Sequence, residues 1–113
     1  MPAIHHVSVV VDDLEMSAGF YERVLGFRRR SDRPGDLGPG AWLDVGGQQL
    51  HLIEGTPPSA RGQHFAVFVD DLDAEVGRLR EAGIDVSDPV PIGSARQSFL
   101  ADPSGNAIEL HGK

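Results

Sequence analysis

His64-Phe65-Ala66-Val67-Phe68-Val69-Asp70-Asp71-Leu72 decides the reading of this chain, because a version of it occurs 58 residues earlier as His6-Val7-Ser8-Val9-Val10-Val11-Asp12-Asp13-Leu14. Each copy opens with a histidine, runs through β-branched and apolar residues, and closes on Asp-Asp-Leu before a helical pattern begins. An offset of about half of 113 residues implies two similar modules. Counting 45 residues on from each histidine gives His51 and Glu109. Four metal-competent side chains, His6, His51, His64 and Glu109, therefore stand at two pairs of equivalent positions.

Composition narrows the possible functions. A length of 113 residues suits a single domain, with modules at about 1–55 and 63–113. The net charge of −7 argues against a nucleic-acid or anionic-membrane partner. With no cysteine, disulfides, thiolate metal sites and a cysteine nucleophile are excluded. No basic-then-apolar leader and no membrane-length apolar run is present, so a cytoplasmic location is the default expectation.

Taken in order, Ile4 to Val11 reads as a strand, with Asp12 and Asp13 capping a helix from Leu14 to Leu25. In that helix Met16, Phe20 and Val24 form the expected apolar stripe, and Gly26 is the stop. Phe27 onward is extended, and residues 31–40 form a loop rich in proline and glycine. Ala41 to Val45 and Gln48 to Ile53 form a hairpin around Gly46-Gly47. Residues 55–62, stiffened by Pro57-Pro58, join the halves. The second half repeats the order: a strand at Gln63 to Val69, then a helix striped by Leu72, Val76, Leu79 and Ala82 and stopped by Gly83. An extended segment at Val86 to Ile92 and strands at Ala95 to Ala101 and Ala107 to His111 complete it. Both halves read β-α-β-β-β, an α+β fold.

Strand alternation then sorts the surfaces. His64, Ala66 and Phe68 share a face, as do Gln49, His51 and Ile53, and Ala107, Glu109 and His111. The opposite faces are apolar and need helices to cover them. A curved mixed sheet with helices on its convex side would hold the histidines and Glu109 on the concave side.

The repeated blocks, the stretch Phe20-Tyr21-Glu22-Arg23-Val24-Leu25-Gly26-Phe27 and the turn Asp102-Pro103-Ser104-Gly105-Asn106 before Ala107-Ile108-Glu109-Leu110 together resemble the vicinal oxygen chelate superfamily. That group includes glyoxalase I, fosfomycin-resistance proteins and extradiol dioxygenases; the stretches Gly40-Ala41-Trp42-Leu43 and Gln48-Gln49-Leu50-His51-Leu52 look like its small glyoxalase-like members. The resemblance implies one divalent ion per site, held by His6, His64 and Glu109 with His51 in the fourth position. Glyoxalase I tends to carry glutamate or glutamine where His51 stands and uses a metal-bound carboxylate as its base; with one carboxylate here instead of two, the resemblance carries that assignment less far. Zinc, nickel, cobalt, manganese and iron(II) all suit imidazole and carboxylate donors.

The leading expectation is a glyoxalase-I-like lyase or isomerase acting on a small substrate with vicinal oxygens. Glu109 is its proton carrier and His51 the runner-up base or an orienting hydrogen bonder. A fosfomycin-resistance-type thiol transferase is second. A metal-free drug-sequestering protein of the bleomycin-resistance kind is third, its groove acidic on a −7 chain and suited to a cation. A homodimer is expected, in which His6 and His51 of one chain meet His64 and Glu109 of the other, since the short 55–62 joint favours exchange. Plainer readings apply elsewhere. His5 is expected on the surface and His111 in solvent. Trp42 and Phe68 read as core or pocket wall, and Arg28-Arg29-Arg30 as a solvated strand. Arg61 and Arg96 are weaker candidates to hold an anionic group.

Overall fold

The computed structural model describes residues 3–59 and 62–113, in two compact units divided along the chain after Ser59. The first carries β1 (His6–Val11), α1 (Leu14–Val24), β2 (Arg28–Arg29), β3 (Gly40–Val45) and β4 (Gln48–Glu54), with a single 3-10 turn at Gly35–Leu37. The second carries β5 (His64–Phe68), α2 (Leu72–Glu81), β6 (Val90–Ile92), β7 (Ala95–Ala101) and β8 (Ala107–Gly112). Each closes a four-stranded mixed sheet of its own, in the orders β1-β4-β3-β2 and β5-β8-β7-β6. The α+β class and the repeated β-α-β-β-β layout are thus present. Arg61 lies outside the described residues.

The two units start their helices identically. Asp13 Oδ1 accepts from the Met16 N–H at 3.1 Å, and Asp71 Oδ1 from the Ala74 N–H at 3.1 Å. Both caps sit in extended backbone, at φ −131°, and satisfy a donor that the first helical turn leaves open. Beyond each helix a glycine at positive φ, Gly26 at 73° and Gly83 at 83°, turns the chain back toward the sheet.

In the first unit β1 pairs parallel with β4, and β3 antiparallel with β4. The register places Val9, Val11, Leu50, Leu52, Ala41 and Leu43 on one face, and α1 packs over it. The helix contact differs from the expected stripe. Ser17, Ala18, Gly19 and Tyr21 are buried, whereas Met16 is 58% exposed and Phe20 and Val24 are only half-buried. Small side chains at 17–19 let the helix sit close to the strands. Tyr21 then fills the remaining space against Phe27, ring centroids 5.7 Å apart. In the second unit Leu72, Val76 and Leu79 of α2 are buried as expected, while Ala82 is exposed past the end of the helix. They cover the face bearing Ile108, Leu110 and Leu100. No described helix is long and apolar enough to cross a membrane.

The Asp-Pro-Ser-Gly-Asn turn delivers β8. Asp102, buried, accepts from the N–H of Ser104 at 2.9 Å and of Asn106 at 2.8 Å through Oδ1. Its Oδ2 accepts from the Asn106 side-chain amide at 2.9 Å. Gly105 takes φ +84°, a conformation other residues rarely adopt. One carboxylate therefore organises the whole turn that aims Glu109.

Candidate functional site

In the second unit, parallel pairing of β5 with β8 sets Ala66 opposite Glu109, and antiparallel pairing of β7 with β8 sets Phe99 opposite it. His64, Glu109, His111 and Phe99 therefore share the face away from α2. Glu109 is buried, its side chain 10% exposed. An ionised carboxyl so buried needs partners, and it has two: His64 Nε2 lies 3.0 Å from Oε1, and His111 Nδ1 2.9 Å from Oε2. The other nitrogen of His64 is bound to the Gly62 carbonyl at 3.1 Å. The carbonyl can only accept, so Nδ1 carries a hydrogen, and the contact between Nε2 and Oε1 then requires one further proton shared by the imidazole and the carboxyl, which an ion taking both atoms would displace. Phe99 closes on His64 edge to face, at 5.3 Å.

In the first unit the same register places Ser8 and Trp42 opposite His51. Three rings stack. His6 lies over His51 with centroids 3.9 Å apart and an interplanar angle of 11°, and Trp42 lies under it at 4.7 Å and 13°. The sandwich buries His51, whose Nε2 is 2.8 Å from Gln49 Oε1. Since a carbonyl oxygen can only accept, this Nε2 carries the hydrogen and Nδ1 the lone pair. Burial holds the His51 imidazole below the usual histidine range, and the nearby charges of His6, His5, Arg33 and Arg30 push it the same way.

Of the neighbours, His5 keeps its expected place on the surface, and the others depart from their expected roles. His111 is bonded to Glu109 rather than free in solvent. His5 is exposed, yet its Nδ1 reaches His6 Nδ1 at 3.0 Å. Phe68 is 73% exposed and belongs to no core. Arg96 faces α2, bound through both Nη atoms to Asp73 at 3.1 and 2.8 Å, and so is turned away from Glu109.

The paired histidine-headed strands, the buried Glu109 and the Asp-Pro-Ser-Gly-Asn turn coincide with a family match over residues 3–110, to the Glyoxalase/Bleomycin resistance protein/Dioxygenase superfamily. The chain belongs to this superfamily. Among relatives of the glyoxalase superfamily, the lactoylglutathione lyase of Haemophilus influenzae is 34% identical, over 95% of this chain and 90% of its own. A glyoxalase family protein of Bacillus anthracis superposes with a TM-score of 0.88 at 27% identity, covering 100% of this chain and 96% of its own. An antibiotic binding protein, TnmS3 of Streptomyces sp. CB03234, superposes with a TM-score of 0.85 at 31% identity, covering 99% and 96%.

A divalent ion is typical of the glyoxalase superfamily, and the donor chemistry here fits one. Two neutral imidazoles and a carboxylate, with a third imidazole at hand, form a borderline ligand set. The hydrogen-bonded His64–Glu109 pair puts a nitrogen and an oxygen donor 3.0 Å apart. The stacked His6 and His51 rings carry their lone pairs in nearly parallel planes, so a ring rotation is needed before both point to one ion. Among the described residues no three His, Asp or Glu side chains converge as an ion's ligands would.

Proposed function

We propose that this chain is a metal-dependent enzyme of the superfamily, a glyoxalase-I-like lyase or isomerase acting on a small substrate with vicinal oxygens. One observation carries the reading. The buried carboxylate of Glu109 is held between His64 and His111 on an exposed sheet face, at the position repeated as His51 in the other unit. The two imidazoles satisfy the buried carboxyl, and the same contacts would orient it as a proton carrier.

His6, His51, His64 and Glu109 would hold the ion, in a homodimer in which the first two come from one copy and the last two from its partner. When bound, it would supply Lewis-acid polarisation of adjacent substrate oxygens. Glu109 moves the carbon-bound proton, and His64 and His111 set the direction of its lone pairs. Trp42 stacks on the His51 ring and Gln49 takes the hydrogen on its Nε2, so that its Nδ1 lone pair is the one offered to the ion. The 34% identity to a lactoylglutathione lyase supports this class of reaction.

The second reading is a sequestering protein, favoured by the 31% identity to an antibiotic binding protein. Metal-loaded protein incubated with hemithioacetals of small 2-oxoaldehydes separates the two. Under the first reading the hemithioacetal is turned over and Glu109→Gln abolishes turnover while the fold, by far-UV circular dichroism, is kept. Turnover by the variant at the wild-type rate would refute the role given to Glu109. Absence of turnover with tight binding of a drug-like molecule to metal-free protein would favour the second reading.

A further inference from the structure

Beside the β3–β4 turn lies an open groove of about 520 Å³, lined by Arg28, Arg30, Asp44, Gln48 and Gln49 among others. It is not a separate region of surface. Arg28 pairs in register with Asp44, Asp44 with Gln49, and Gln49 with His6, so one row crosses all four strands from the groove to the first candidate ligand. At about 4.8 Å per strand spacing this row is about 14 Å long.

The charges in the groove are not equivalent. Arg29 turns to the other side, toward Glu15 and Glu22. Arg30 is held by Asp32 through Nε and Nη2, at 2.9 and 2.8 Å, and by Asp44 through Nη1 at 2.8 Å. Arg30 offsets one of the two carboxylates it bridges and ties Asp44, the carboxylate facing the groove, in place. Arg28 is exposed and has no carboxylate partner among the described residues. Gln49 adds a second donor: its Oε1 is taken by His51, which leaves its amide NH₂ without a protein partner among the described residues. A tethered acid, an unpaired guanidinium and a directed amide put two free donors in one recess of an otherwise acidic chain.

We infer that this groove binds the oxyanion, carboxylate or phosphate, of an elongated small molecule, with Arg28 and the Gln49 amide as its donors. Taking that molecule to be the substrate, reactive end toward His6 and His51, rests on the function proposed above; the binding itself does not. Gln49 is a positioning residue, since an anion on its NH₂ fixes the amide whose carbonyl orients His51.

The test uses full-length, chelator-treated protein titrated with succinate and, separately, inorganic phosphate, followed by ¹H–¹⁵N NMR. The expected result is saturable binding, with shifts at Arg28, residues 46–49 and the His51 ring. Arg28→Gln should weaken it about tenfold or more, the value of one charge-assisted hydrogen bond, and Gln49→Glu, which adds a negative charge, should weaken it too. Affinity unchanged in Arg28→Gln, or shifts spread evenly over other arginines, would overturn the site. A still His51 ring at saturation would overturn the positioning role of Gln49. Protein that binds the anion but no metal upholds the groove and defeats the proposed function; protein that binds metal but neither anion does the reverse.

Discussion

Replacing Trp42 with leucine removes one of the two rings that sandwich His51. The Trp42–His51 geometry, 4.7 Å between centroids and 13° between planes, lies in the range of stacked aromatic pairs. Such a stack is worth about 0.5–1.5 kcal/mol beyond the area it buries. Trp42 is only half-buried, and leucine keeps much of the covered surface. About 40 Å² of lost apolar burial would add about 1 kcal/mol. The variant should therefore be destabilised by about 1.5–2.5 kcal/mol. Trp42 is the single tryptophan, so urea unfolding is best followed by far-UV circular dichroism. A cycle with His51→Leu isolates the stack and should give a coupling of about 0.5–1.5 kcal/mol. Additivity within about 0.3 kcal/mol would mean that the rings merely lie near each other, and the sandwich would not be what places His51.

Other outcomes follow from the same geometry. In metal-free protein the fluorescence of Trp42, in contact with His51, should titrate with a midpoint below the usual histidine range, because burial and neighbouring cations disfavour the imidazolium. The stability linked to His51 should be fully present above about pH 6.5, its value in the unfolded chain, and should fall as pH drops toward the lower folded value; a midpoint above 6.5 would contradict the burial argument. Asp73, hydrogen-bonded by Arg96, should titrate below the ordinary aspartate range and return to it in Arg96→Ala, as read by carboxyl ¹³C shifts; an unmoved Asp73 would show that the pair is not formed in solution.

The repeat made most of the fold legible, and it held more than apolar periodicity revealed. Shifting Leu72, Val76 and Leu79 back by 58 residues lands on Leu14, Ala18 and Tyr21, the side of α1 that faces the sheet. The pattern Met16-Phe20-Val24 misleads because periodicity weighs bulk, while the contact is made by small residues and a tyrosine. Both Asp caps, both glycine stops and the hairpin were readable because each is a local backbone requirement. Of the site, alternation gives the faces on which His51 and Glu109 stand. It does not give their partners. His111 and Gln49 lie two residues from Glu109 and His51 on the same face, which alternation allows, but alternation does not say that they bond. Trp42 and Phe99 stand opposite His51 and Glu109 in equivalent registers, 57 residues apart, a signal visible only once the β3–β4 and β7–β8 pairings are set. Arg28 reads as an ordinary solvated strand residue until the row from Arg28 to His6 is laid out.

The central claim is that His6, His51, His64 and Glu109 hold one divalent ion per site. Calorimetric titration of chelator-stripped protein with Zn²⁺ at pH 7.5 and at pH 5.5 tests it most directly. One ion should bind per chain at pH 7.5, with affinity falling at pH 5.5 as the imidazoles protonate. Glu109→Gln should lose more than the 10- to 100-fold typical of losing a residue that only supports a ligand. No stoichiometric binding, or a Glu109→Gln isotherm that overlays the wild type, would contradict the account.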